Sequence, residues 1–472
     1  MIQICDQLKA EGFCLLRLCA DLTEFIRLGR TRKTYLDETQ RFLDYIIDSL
    51  KAVDKFVRNV IKEPPEEQVI KAKLRDFGEI EKALSWLYVL SKEAIDSDSL
   101  SIPFSLATFL NHTGRELLRS KDVSFVVLGG STLMYYKYNL KKLRDLTNDL
   151  SARIPGYPVL DENVGILTFP YCAAREVLVN CNLFHEMGHC IYEKRNLEKD
   201  LRSELLGKFS QFFLGGKIEQ KVQEPLLAWR AGKNYVSTLM LRWADEIFAD
   251  VFAIRVLGPA FHFALREIEQ IIPTGLGSDF SETHPADDYR FRIHAKWLVQ
   301  DEWEDILKDK DNLPEFFEEL EKCKDYTIDR FTVGCRPPSY LEAIGGELHK
   351  WMLTQFDGMV QKIEENVSEM LTNNFEKPVY DFIKNHESVT SYLEHGVVPS
   401  TFYKDGIKRH PHPITVLNCG YFFYLKGMTP LLKRVITNLN SIDKRIMCGK
   451  RLNSWLGKAI EDWQILLKEG KL

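Results

Sequence analysis

Long runs of apolar residues spaced three and four apart constrain this chain more than any other feature. Between Met1 and about Arg119 the spacing recurs continuously, as in Phe42, Tyr45, Ile46, Leu50 and Val53. Such a pattern places one apolar stripe on a helix and requires a second helix to cover it. The same habit returns in the last third of the sequence. Only "SFVVLG" at 124–129 and "VGILTFP" at 164–170 read as strands, each bounded by glycine, proline or acidic turn residues. A helix over about 134–153 is expected between them. The fold class that follows is α+β, predominantly helical. A helical region at 1–120 and another at 336–472 flank a mixed core with a small sheet at 121–335, and "GCRPPSY" at 334–340 reads as a boundary.

At 472 residues the chain exceeds one ordinary domain of roughly 150 residues. Hydrophobic residues at 45% and charged residues at 28% are the profile of a globular protein. Net charge is −5 and no lysine/arginine block appears, so nucleic acid is excluded as the expected partner, while protein or peptide substrates remain open. The start, "MIQICDQLKAEGFCLLRLCA", carries Asp6, Lys9 and Glu11 where a signal peptide would be apolar, and reads as a helix. The longest near-apolar stretch, Phe125 to Tyr136, falls short of the ~20 residues of a membrane span, so no integral membrane segment is expected. Ten cysteines without a CxxC pair suit reduced thiols and a cytoplasmic location.

Further along, helices are expected from about Ala174 to Lys194, near 233–257 and from Asp287. The long helices after residue 336 are expected to break at "NHES", "HGVVPS" and "HPHPIT". No internal repeat is present.

The chemistry concentrates in "LFHEMGHC" at 183–190. Four residues along a helix turn through about 400°, so His185 and His189 leave one face a turn apart and both rings can reach a single metal ion. Glu186 projects beside them, where it can hold a water without ligating. Gly188 costs about 1 kcal/mol of helix propensity, a cost that makes sense if another element must approach closely.

Hydrolytic zinc takes three protein ligands and leaves one position for water. The third candidate lies in "RWADEIFADVFAIRV" at 242–256, where Glu246 and Asp250 are four apart on an otherwise apolar helix. Buried carboxylates need partners. Zinc for Glu246 and a ligating histidine N–H for Asp250 would supply both; a loop cap, or pairing with Arg242 or Arg255, is the simpler alternative. Thirty-eight residues after Glu246, "ETHPADDYR" offers His284 and, six positions later, Arg290. A histidine donor there would stabilise a tetrahedral oxyanion, with arginine holding the histidine and the substrate backbone. His284-Pro285 also reads as an ordinary helix-entry turn.

HExxH, a downstream glutamate with aspartate four later, and Thr-His-Pro with arginine six after the histidine together resemble the gluzincin metallopeptidases of the CAAX prenyl protease class and its soluble relatives. The resemblance covers roughly 160–300. It implies a zincin-like core in which Zn2+ is held by His185, His189 and Glu246. Glu186 would be the general base, Asp250 the partner of a ligating ring, His284 the transition-state stabiliser and Arg290 its support. The implied activity is zinc-dependent peptide-bond hydrolysis; the resemblance leaves the substrate open, and an endopeptidase of narrow specificity is the reading adopted. Two departures stand out: Ala286 replaces a common second proline, and no membrane span accompanies the motif. The competing class is a helical interaction or sensor protein with a structural or inactive zincin-like centre.

Other features are read as structural. His410 and His412 alternate with prolines in an extended loop, His294 is a packed or surface histidine, "YFFYL" at 421–425 is core, and "LPEFFEELEKCKD" at 313–325 is a solvated helix face. "GILTF" at 165–169 is either an edge strand that pairs with extended substrate or an interior neighbour.

Overall fold

A computed structural model describes residues 2–470 except 33–34, 64–65, 98–102, 121–122, 131–133, 216–217, 272–276, 309–317, 319–321, 373–377, 405 and 435–440. The chain divides into two compact units, Met1–Arg175 and Glu176–Leu472. The strands therefore group with the first helices, and the last third of the chain with the histidine motif, a division that differs from one at 120 and 335.

In the first unit, helices α1 (Ile2–Arg32), α2 (Asp37–Lys62) and α3 (Glu67–Asp96) pack on one another, and α4 (Phe104–Leu117) follows. Helix α2 buries Phe42, Leu43, Ile46, Ile47, Leu50, Val53, Val57 and Val60, the stripe its spacing dictates. Strands β1 (Ser124–Gly130) and β3 (Val164–Pro170) run parallel, from Ser124↔Val164 to Gly130↔Pro170. Their shared core covers both sides of β1, which is buried at every position and packs against α2, α3 and α4. Strand β2 (Tyr136–Lys137) pairs antiparallel with β3 at Thr168 and Leu167, so the sheet order β1-β3-β2 makes β3 an interior strand. The segment expected to be helical from 134 is thus first a short strand, and helix α5 spans Lys141–Ser151.

The second unit is built around α8 (Pro225–Leu257), which packs against α6 (Leu183–Lys194), α7 (Leu197–Gly215), α9 (Pro259–Ile271), α10 (Asp287–Gln300) and α12 (Gly345–Thr372). That surround explains a helix apolar on nearly all sides from Val236 to Leu257. It ends at Gly258, whose φ of +66° favours glycine and whose missing Cβ would meet the Trp303 ring at 2.5 Å. The short helix α11 is Glu304–Lys308; beyond α12 come α13 (Pro378–Glu394), α14 (Pro413–Leu425), α15 (Thr429–Arg434) and α16 (Ser441–Lys468). Two small strand pairs complete the unit, β4 (Asp279–Phe280) parallel to β5 (Thr332–Val333) and β6 (Phe402–Lys404) antiparallel to β7 (Ile407–Arg409).

Several local expectations yield to long-range contacts. The helix expected from Ala174 begins only at Leu183, after a 3-10 turn at Val179–Asn182. There the amides of Asn180 and Asn182 bond back to the Glu176 and Val179 carbonyls at 2.8 Å, and distant Asn453 accepts from Leu178 N–H at 3.1 Å. Conversely, "NHES" does not break α13. Asn385 donates to Asp381, and the His386 ring lies 4.9 Å from Phe382 in a stacked arrangement, so the polar residues are satisfied along the helix. "GCRPPSY" is tied down rather than a linker: Gly334 N–H donates to the Phe280 carbonyl at 2.9 Å and the Tyr235 hydroxyl to the Cys335 carbonyl at 3.2 Å. Phe316 and Phe317, expected to turn inward from the solvated helix face at 313–325, lie outside the described residues. Among the described residues no helix is long and apolar enough to cross a membrane. None of the ten cysteines is in a disulfide.

Candidate metal centre

Helix α6 carries His185, Glu186 and His189, and all three side chains are largely buried. Glu186 sits in the first turn, where the helix dipole favours an anion. Gly188 explains how α6 reaches α8. A Cβ there would stand 2.7 Å from Ala249 Cα, so the two backbones cross in near contact. Gly188→Ala is expected to lower stability by a net ~1–2 kcal/mol, because forced separation outweighs the gain in helix propensity. Urea unfolding measures it, and an unchanged midpoint would mean that the helices part without cost.

The crossing sets three carboxylates of α8 against the two rings. His189 Nδ1 bonds Asp245 Oδ1 at 2.8 Å, and His185 Nδ1 lies 2.9 Å from Asp250 Oδ1. Carboxylates accept, so each Nδ1 carries the hydrogen in a neutral ring and each Nε2 presents a lone pair. Those two Nε2 atoms face each other at 3.1 Å. Glu246 completes the set, with Oε2 at 3.3 Å from His185 Nε2 and Oε1 at 3.6 Å from His189 Nε2. Four polar atoms thus converge in an arrangement that could hold a metal ion. Zinc bonds of roughly 2.0–2.1 Å at tetrahedral angles separate neighbouring ligands by about 3.3 Å, which fits these distances. Glu246 Oε2 is also buried without a hydrogen-bond partner, and one donor atom from each of the three residues falls within 4.8 Å of the others.

The carboxylates also favour positive charge at the rings, whether a proton or a metal ion supplies it. Burial acts to lower the His185 pKa, but Asp250 and Glu246 outweigh it and raise the group to about 10. His189 is raised likewise against burial, by Asp245 and Glu246. Glu246 is held well below the usual carboxylate range although burial opposes this, because His189, His185 and His284 surround it. Neither alternative partner engages Glu246: Arg255 pairs with Asp301 and Ser368, while Arg242 donates to the Glu282 carbonyl.

His284 stands at the rim, its side chain 25% exposed and its Nε2 3.6 Å from Glu246 Oε1. Trp243 on α8 places it there by donating its indole N–H to the Ser281 carbonyl at 2.8 Å, while the 281–284 turn closes on itself through Ser281 N–H to the His284 carbonyl. Thr283 Oγ1 lies 2.8 Å from His284 Nδ1. Burial and then the nearby Arg290, His185 and His189 lower the His284 pKa against the pull of Glu246, which keeps the ring neutral near pH 7.

Arg290 is 2% exposed and binds Asp250 through Nε at 2.6 Å and Nη2 at 2.7 Å. These bonds run to Asp250, whereas the resemblance implies Arg290 as the support of His284. Asp245 was not singled out by sequence reasoning; its neighbour Glu246 shares the helix, and only the crossing angle of α6 and α8 decides which of the two faces which nitrogen. His410 and His412 take structural places, with His410 Nδ1 near Thr401 and Ser400 and His412 Nδ1 accepting from Ile414 N–H at the start of α14. Tyr421, Phe422 and Phe423 are core residues. Searches of the chain against known families, curated proteins and solved structures return no match.

Proposed function

We propose that this chain is a zinc metallopeptidase of gluzincin type with a zincin-like core around α6 and α8, an endopeptidase of narrow specificity acting on proteins or peptides. The observation that carries this reading is the convergence of His185 Nε2, His189 Nε2 and the Glu246 carboxylate, with Glu186 next to the first ligand. These three residues would hold Zn2+. A bound zinc ion supplies Lewis acidity, acidifying water and polarising a carbonyl oxygen.

The chain's own groups do the rest. Glu186 takes a proton from the attacking water and passes it to the leaving amine, so the C–N bond breaks with a neutral amine departing. His284 Nε2–H donates to the oxygen that gains charge in the tetrahedral state, its Nδ1 held by the Thr283 hydroxyl. Asp245 and Asp250 fix the tautomers of the two ligating rings, and Arg290 neutralises and anchors Asp250. Ten cysteines outside any disulfide are in keeping with a cytoplasmic setting.

Zinc content tests the reading. Purified protein is expected to carry about one zinc per chain, as a single His-His-Glu site requires. Glu246→Ala is expected to lose most of it. Metal retained in that variant would place the third ligand elsewhere, and a wild type free of zinc would remove the proposal.

A further inference from the structure

Behind Asp250, away from the two ligating rings, lie two buried histidines that the chemistry above does not use. His294 on α10 is 0% exposed and His262 on α9 is 2% exposed, and their Nδ1 atoms are 3.0 Å apart. His294 Nε2 points at Asp250 Oδ2 from 3.6 Å and has no hydrogen-bond partner at ordinary length. The Phe261 ring, fully buried, contacts both sides: its centroid is 6.0 Å from that of His185 and 5.3 Å from that of His294.

The donor inventory assigns the protons. Asp250 can only accept, so the hydrogen of His294 belongs on Nε2 and its Nδ1 is an acceptor. His262 must then carry its hydrogen on Nδ1 to meet that acceptor at 3.0 Å. Both rings are neutral in this scheme, as their burial favours. Asp250 is thereby approached from three directions, by Arg290 on both oxygens, by His185 Nδ1 at Oδ1 and by His294 Nε2 at Oδ2.

We infer that His294, backed by His262, is a positioning residue for the metal centre: it holds the plane of Asp250 and so fixes the orientation of the His185 ring. The inference rests on the zinc reading of the centre. Arg290 grips both oxygens of Asp250 and His185 takes Oδ1, which leaves the Oδ2 side of the carboxylate to His294. The His294 N–H faces Oδ2 from 3.6 Å and is close enough to bond it after a small shift, and His262 keeps the hydrogen on the correct nitrogen. Deleting a group bonded directly to a ligand typically changes metal affinity about 10–100-fold, and His294 acts one step further out, through Asp250, so the lower end of that range is expected.

The test is zinc affinity by competition with a chelating dye, together with the visible absorption of the cobalt-substituted protein, on the full chain. His294→Ala is expected to weaken zinc by up to about 10-fold and to shift the cobalt bands, as a ligand ring loses its orientation. His294→Gln, whose amide N–H reaches a similar position, is expected to restore most of the affinity. His262→Phe keeps the ring volume but removes the Nδ1 hydrogen, and is expected to weaken zinc less than His294→Ala does. Unchanged affinity and spectrum in His294→Ala would overturn the inference, as would equal losses in the alanine and glutamine variants, since packing alone would then explain them. If His294→Ala does not fold, the other two decide: weaker zinc in His262→Phe with affinity kept in His294→Gln supports the inference, and equal affinities overturn it. A wild type that binds no zinc would instead sink the reading of the centre itself, a result distinguishable from all of these.

Discussion

Glu186→Gln is expected to retain about one zinc per chain while its peptide cleavage falls by roughly 10²–10⁴-fold, the range for loss of a proton-transfer group. The amide keeps the size and helical position of the carboxylate but cannot accept the proton from water or deliver it to the amine. Because Glu186 is not among the converging donors, the geometry at His185, His189 and Glu246 should survive. Measured as kcat with metal content in parallel, the variant separates chemistry from binding. Cleavage near the wild-type rate would deny Glu186 its role, and joint loss of zinc and activity would make it a ligand or a structural prop. Glu186 lies in the first turn of α6, where a neutral side chain also gives up a small favourable dipole term, too small to account for such a fall.

The second large effect concerns stability. Asp250→Ala is expected to cost about 3–5 kcal/mol, because it leaves the Arg290 guanidinium buried without its carboxylate. Asp250 is fully buried and Arg290 nearly so. The sign with pH follows from the same pair. Burial opposes ionisation of Asp250, but Arg290, His185 and His294 hold its pKa well below the ordinary value. A depressed carboxyl contributes stability that is fully present above the unfolded value of ~3.9 and is lost as pH falls toward the folded one. The variant should therefore show a smaller loss of stability on acidification than the wild type. Denaturant unfolding of the metal-free protein across pH measures both. The double variant Asp250→Ala with Arg290→Met should cost less than the two single losses added, since neither charge is then stranded. Simple additivity would mean that the two groups do not act as a pair.

How much was legible depended on how local each cause is. The i, i+4 spacing of His185 and His189 guarantees a shared face on any helix, and Glu246 with Asp250 repeats the device on a second one. Strands at 124–130 and 164–170 were readable from composition and flanking turns, whereas β2, two residues long, has no period to detect. The start of α6 was misplaced by nine residues, Ala174 against Leu183, because Asn453 captures a backbone N–H from far along the sequence. The partner of His189 was missed for a related reason. Asp245 and Glu246 are adjacent, about 100° apart around α8, and nothing in a helix by itself says which of them meets a given ring nitrogen.

The sequence by itself therefore determined the helical character of the chain, the side-chain set able to bind a metal, and the face of each helix on which that set lies. These depend on spacing along one backbone. Only the tertiary structure decided that α6 and α8 cross at Gly188 and Ala249, that Arg290 reaches the centre through Asp250 and that His262 and His294 stand behind it. Those facts depend on how close two helices can come and at what angle, which is set by side chains meeting across the core and has no signature in the order of residues along either strand of chain.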